Sequence, residues 1–273
     1  MNIKIETENC NYDSHYLIEE SADSRIIIHV EMEKIASLQS KKQVRVQITQ
    51  LIQNELIKFK WIISGSVVVE FGWYLNAVER QETDKIGDID NISKPIQDAI
   101  IGEQGILIDD SQISGLYSFW MSRNVIIADN ILRIDIKFNN DETLKKENLM
   151  FIQYDNAICM PLNIDNKDVN NLLGCKIFLH AKRRMRKQSD KAKKKGHNLD
   201  PYLKLTSWDF HRTRLGTFDK SKILSLAEFN KLCMNQGLTL KKLIELKKAS
   251  CQHNIANGGG CESLKLSAPH QGL

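Results

Sequence analysis

Residues 87–112 read GDIDNISKPIQDAIIGEQGILIDDSQ, and the elements in this stretch decide the fold. Asp88 and Asp90 stand two apart, so in an extended segment both carboxylates point to one side. Asn91 then opens a helix running to Ile101, with Pro95 tolerated near its first turn. That helix puts Lys94 and Asp98 on the face of Asp90, at i+4 and i+8. A short strand, Ile106 to Ile108, leads into Asp109 and Asp110. Where the two loops converge, three or four carboxylates meet.

Working outward, the flanks alternate strands and helices. Arg25 to Met32 (RIIIHVEM) is β-branched and reads as a strand. Ile35 to Phe59 carries apolar residues near helical spacing without Pro or Gly, which predicts one long amphipathic helix. Ser66 to Leu75 is a second strand with a bulge expected at Gly72, and Ile113–Met121 and Ile131–Phe138 form a strand pair. Residues 25–138 thus predict an α/β (α+β) domain, a mixed sheet of about four strands with two helices. Residues 1–24 are an acidic extension and 139–150 a polar linker. A basic, mainly helical region covers 151–250, with a strand at Phe151–Leu162 and a helix from Asp168 to His180 that continues into the basic run. Tyr202 to Phe218 reads as irregular and aromatic, Ser225–Asn235 and Thr239–Ala249 as helices around Gly237, and 251–273 as a disordered tail.

Composition narrows the class. The 273 residues are 42% hydrophobic with only 14 Gly and 4 Pro, which excludes fibrous and wholly disordered chains. No apolar run reaches the ~18 residues of a membrane span. The longest candidate, Trp61 to Leu75, is broken by Ser64, Gly65, Ser66, Glu70 and Gly72. The start, MNIKIETENC, lacks signal-peptide character, and six dispersed cysteines without CxxC predict reduced thiols and a cytoplasmic protein. The net charge of +4 conceals an asymmetry: residues 1–150 hold 16 Lys and Arg against 24 Asp and Glu, whereas 151–273 hold 22 against 10. One acidic module and one suited to a polyanion follow from that split.

Clustered carboxylates, ionised at neutral pH by their ordinary pKa of ~3.9, repel one another. A hard divalent cation relieves the repulsion, and Mg²⁺ takes such oxygen ligands while keeping room for a phosphate. It can activate water, polarise a phosphodiester and stabilise the leaving oxygen. Lys94 could set its ammonium against developing charge. The plainer reading is a solvated i, i+4 ladder with Asp90 or Asn91 as helix cap. The seven histidines show no ligand spacing, and no phosphate loop, serine-nucleophile or dinucleotide fingerprint is present.

The whole string, DIDNISKPIQDAIIG followed by ILIDDSQI, resembles the RusA family of Holliday junction resolvases. That family's signature has the form DxDN-x-x-K-x-x-x-D-x-L and, after a short loop, DDxQ. Asp88, Asp90, Asn91, Lys94, Asp98, Asp109, Asp110 and Gln112 fall on it in order, with Ile100 where Leu is usual. The resemblance spans roughly Arg25 to Phe138. It implies a Mg²⁺-dependent endonuclease, Mn²⁺ serving as substitute, that acts as a homodimer on four-way DNA junctions. It also implies that Asp88, Asp90 and Asp110 are the metal carboxylates, with Asp109 beside them and Lys94 assisting catalysis. Two-fold symmetry suits paired cuts. The family's early proline-rich turn is absent here, where NYDSHYLIEESADSR stands instead, and the last half of the chain has no counterpart in the shorter family members.

That last half carries HAKRRMRKQSDKAKKKG at 180–196. Lys182, Arg183, Arg184, Arg186, Lys187, Lys191, Lys193, Lys194 and Lys195 are expected to contact phosphates in a salt-dependent, sequence-independent way. The aromatic residues from Tyr202 to Phe218 read better as a small core than as base-stacking platforms. The expectation is therefore a structure-selective DNA endonuclease. Its alternatives are the same nuclease acting on flap, single-stranded or invading DNA, and a non-catalytic DNA-binding protein on this fold.

Overall fold

The computed structural model describes residues 2–13, 23–32, 35, 40, 42–76, 88–123, 130–139, 141–204 and 208–238, which divide into two compact units. The first comprises 1–147 together with 214–218, the second 148–213 together with 219–273.

In the first unit, period-two patterning builds the sheet. Strand β2 (Asp23–Met32) buries Ile26, Ile28, Val30 and Met32 on one face and turns Ile27, His29 and Glu31 to the other. It pairs antiparallel with β1 (Asn2–Glu8) and with β6 (Asn130–Asn139). The β6 strand in turn pairs antiparallel with β4 (Val67–Asn76), and β4 lies parallel to β5 (Ile113–Arg123). The order is β1-β2-β6-β4-β5, one strand more than the sequence reading gave. The extra strand lies in the expected N-terminal extension, where Ile3 and Ile5 alternate with Asn2, Lys4 and Glu6.

Parallel neighbours need a crossover, and here it contains α2 (Ile89–Ala99). This helix buries Ile92, Pro95, Ile96 and Ala99. It starts two residues before the expected Asn91, so Pro95 falls in its second turn and the Asn91 carbonyl has no i+4 amide to accept from. Helix α1 (Lys42–Leu56) buries Ile48, Ile52 and Leu56, four apart, and contacts α2. It ends before Phe59, whose buried ring lies 4.6 Å from Tyr12 and 5.4 Å from Trp61. Ile35 is buried outside the helix, so the single element expected over 35–59 is shorter at both ends. Both helices and the inner face of the sheet (Val69, Phe71, Trp73, Ile134, Ile136) form one core. The stretch read as a linker carries strand β7 (Thr143–Lys145), paired with β3 (Trp61–Ile63), and buries Thr143 and Leu144.

The second unit has its own sheet and core. The single strand expected at Phe151–Leu162 is a hairpin, β8 (Leu149–Asp155) and β9 (Ile158–Asn163). It turns at Asn156, which takes the left-handed backbone (φ 39°) that asparagine tolerates. Strand β10 (Phe210–His211) extends the sheet beside β9, and β11 (Ile223–Ser225) lies parallel to β8. Helix α3 (Val169–Lys193) does continue into the basic run; Asp168 caps its start by accepting from the Asn170 amide. After the short α4 (Asp200–Leu203), α5 (Leu226–Asn235) opens with a reciprocal Ser225–Glu228 cap. Leu172, Cys175 and Leu179 of α3 pack with Ile152, Met160, Phe229 and Cys233. Thr239–Ala249 and the tail at 251–273 lie outside the described residues.

Cys10, Cys159, Cys175 and Cys233 are free and buried. Burial pushes the Cys10 thiol up to about 12 and those of Cys159 and Cys175 up to about 11, which removes them from thiolate chemistry. No helix among the described residues is long and apolar enough to cross a membrane.

Candidate active site

The predicted carboxylates sit on two segments of the first unit. Asp88 holds the N-cap position of α2 in an extended conformation (φ −78°, ψ 157°), yet its side chain makes no cap hydrogen bond. Asp90 is exposed in the first turn. Ser93 fastens the helix: its hydroxyl donates to the Ile89 carbonyl (2.6 Å) and meets the Ser118 hydroxyl on β5 (2.8 Å).

The second segment is a 3₁₀ turn, Asp110–Gln112, capped by Asp109, whose carboxylate accepts from the Ser111 amide at 3.0 Å. Gln112 holds this turn in place and is itself fully buried. Its Oε1 accepts from the amides of Ile108 (2.7 Å) and Asp109 (3.0 Å). Its Nε2 donates to the carbonyls of Ile63 (2.9 Å) and Gly65 (2.8 Å). One amide side chain therefore ties the carboxylate turn to the end of β3 and the approach to β4. The motif contained Gln112, but spacing alone could not show what it bonds.

Lys94 joins the two segments. Its ammonium lies 3.0 Å from Asp98 Oδ1 and 3.3 Å from Asp110 Oδ2. Partial burial lowers its pKa, but the hydrogen bonds and charges of Asp98 and Asp110 outweigh that, so the group is held protonated above the ordinary lysine range. The other oxygen of Asp110 is also engaged: Arg214 Nη1 lies 3.2 Å from Asp110 Oδ1 and 2.9 Å from Asp109 Oδ1. From the sequence Arg214 reads only as one of the cations interleaved with the aromatics of 202–218, with no tie to the carboxylates. It stands 104 residues beyond Asp110, and no local pattern links the two.

Lys94, Asp98, Asp109 and Asp110 are thus brought together, whereas Asp88 and Asp90 stand on the first turn of the helix without a bond to Lys94. The donors fit a hard cation in chemistry: all are carboxylates, and Asp88 is not used by its own helix cap. Among the described residues no three metal-ligating side chains already surround a common point. Lys94 and Arg214 instead neutralise Asp110, one at each oxygen.

In the second unit the basic run divides by face. Arg183, Arg184, Lys187, Lys191, Lys193, Lys194 and Lys195 are exposed, and an open groove of about 400 Å³ runs along His180, Arg183, Arg184, Lys187 and Lys191. Two expected phosphate contacts are placed differently. Lys182 is 2% exposed and faces Asp209 at 3.5 Å, so it is not available to a phosphate. Arg186 donates to Asp155 at 2.7 Å and stacks against Tyr154. The physical reason is helical periodicity: Lys182, Arg186 and Ser189 continue the inward row begun by Leu172, Cys175 and Leu179. Tyr154 donates to the same Asp209 oxygen at 2.7 Å. Burial raises the Asp209 pKa and lowers that of Lys182, each against the pull of the other's charge. Of the aromatic residues, Phe210 and Phe218 are buried while Tyr202 is exposed.

Comparison with known proteins bears on this geometry. The model of the family described as endodeoxyribonuclease RusA matches residues 24–137. The match contains β3, β4 and β5, nearly all of β2 and β6, both helices of the first unit and all the carboxylates of the candidate site, and leaves out β1 and β7. It excludes Arg214 and the whole basic helix. No curated protein matches the chain.

Proposed function

We propose that the chain is a Mg²⁺-dependent, structure-selective DNA endonuclease that hydrolyses phosphodiesters at branched DNA, four-way junctions foremost, and acts as a cytoplasmic homodimer. The observation that carries the reading is the Lys94–Asp110 contact. It joins the two halves of the carboxylate motif, inside a segment of an endodeoxyribonuclease family.

Asp88, Asp90 and Asp110 would hold the cation, Mg²⁺ or Mn²⁺, with Asp109 beside them. Such an ion, when bound, supplies Lewis-acid polarisation of a phosphoryl oxygen and lowers the pKa of bound water. The remaining work belongs to the protein. Lys94 stays protonated at neutral pH and presents positive charge where a phosphate gains negative charge. Gln112 fixes the turn that aims Asp109 and Asp110. The exposed cations of α3 supply affinity for the backbone without reading sequence, through counterion release. The full carboxylate set favours an enzyme over a passive DNA-binding protein, because Asp88, Asp90, Asp98, Asp109 and Asp110 outnumber Lys94 and Arg214, and the excess of negative charge would otherwise repel a phosphate.

Asp90→Asn removes a ligand charge while keeping shape. Its expected outcome is loss of Mg²⁺-dependent cleavage on junction, fork, flap and linear duplex alike, with DNA affinity retained in gel shift. Cleavage that persists in this variant would sink the reading, and the substrate ranking of the wild type separates junctions from flaps or single strands.

A further inference from the structure

Arg214 reaches the carboxylate turn from a segment that is anchored independently of it. Leu215 and Phe218 are 1% and 5% exposed, and the Phe218 amide donates to the Leu215 carbonyl at 3.1 Å. Thr217 packs on Gly102, which has a φ of +91° and no side chain; a Cβ there would lie 2.7 Å from Thr217. The backbone is therefore held while the guanidinium remains about half exposed (48%) between Asp109 and Asp110.

We propose that Arg214 is a positioning residue of the carboxylate site. It holds Asp109 and Asp110 side by side and competes with the divalent cation for Asp110, so that a residue outside the family segment sets the site's metal affinity. The inference rests on the metal-binding reading above. Its logic is that of competing cations. An oxygen bonded to a guanidinium must be released before it can coordinate, and a fixed positive charge repels an incoming dication. The bond to Asp109 is the shorter one, and the guanidinium has five donors, so Asp110 can be surrendered while Asp109 is kept. The guanidinium is about half exposed and screened, and buried Asp109 keeps the Ser111 amide without it, so Arg214 contributes little to folding and its removal should register in cation binding.

The test titrates full-length protein with Mn²⁺ and follows the free-ion signal by electron paramagnetic resonance. Thermal melts in EDTA report on the fold. Arg214→Gln should bind Mn²⁺ about three- to tenfold more tightly at low salt, with a gain that shrinks as salt shortens the screening length, and should melt as the wild type does. Arg214→Lys, which keeps the charge, should stay within about twofold of wild type. Arg214→Met provides a second uncharged variant should the first not fold. Unchanged or weaker binding in the uncharged variants overturns the proposal and leaves the nuclease reading standing, as does a lysine variant that behaves like glutamine. Wild-type protein that binds no Mn²⁺ overturns both.

Discussion

Gln112→Leu is the most informative single substitution, because one fully buried side chain satisfies four main-chain groups. Leucine has a similar volume, so the cavity term is small and the cost is that of stranding polar atoms. A buried donor or acceptor left unpaired costs about 1–3 kcal/mol, partly recovered where water enters or the backbone relaxes, and the leucine gains some transfer energy. The net expectation is a loss of about 3–5 kcal/mol, a large share of the ~5–15 kcal/mol that stabilises an ordinary domain. Urea denaturation at pH 7 measures it. Gln112→Glu adds a second arm. It keeps an acceptor for the Ile108 and Asp109 amides but sets a carboxylate oxygen against the carbonyls of Ile63 and Gly65. Burial raises the pKa of such a glutamate. Its penalty should therefore be smallest below the unfolded value of ~4.3 and grow as pH rises toward the raised folded value. A leucine variant within about 1 kcal/mol of wild type, or a glutamate deficit that does not change between pH 4 and 8, would refute the assignment of Gln112 as the lock of the turn.

In the second unit, Lys182→Met takes the nearest cation from the Asp209 carboxylate, leaving it Tyr154 and the more distant Arg186, and should cost about 3 kcal/mol, whereas Lys182→Met with Asp209→Leu should recover most of that. DNA affinity should be untouched by the double change. It should fall, with a salt slope smaller by about 2–3, when Arg183, Arg184 and Lys187 are all replaced by alanine; equal effects from both sets would contradict the division of faces. Asp135 offers a pH test on the outer face of the first sheet. Burial pushes its pKa up, but Arg25, which grips both its oxygens, and Arg133, 2.8 Å away, overcome this and hold it below the usual range. A depressed carboxylate stabilises the fold above its unfolded pKa and loses that contribution as pH falls through the folded value. Asp135→Asn should therefore cost about 2 kcal/mol at pH 7 and little at pH 2–3, as read from paired denaturation curves.

The site and the sheet around it were legible for different reasons. The acidic string fixes a helix between two loops because the identity and spacing of polar residues survive in one dimension. The inner strands were equally readable through Ile26, Ile28 and Val30, which alternate without interruption. Strand β1 was missed although Ile3 and Ile5 alternate too, because the surrounding charges read as an extension. Strand β7 is three residues long and gives no periodicity to detect. Lys182 was misplaced because a run of cations drew attention to charge when the row from Leu172 through Cys175 and Leu179 already pointed inward. The pairing of Arg214 with Asp109 and Asp110 was beyond reach, since it is set by the return of the chain and by nothing in its neighbours.

That return has a consequence in time. A ribosome makes the chain from the N-terminus at about 5–20 residues per second, and N-terminal domains begin folding before the rest exists. The first unit takes in residues 214–218 as well as 1–147, so its last piece is made after sixty-six residues of the second unit, 148–213. Asp110 thus spends an interval of synthesis with Lys94 but without Arg214, which joins it and Asp109 only after the basic helix has been made. The first unit cannot reach its finished electrostatic state before the exposed cations of α3 have been made.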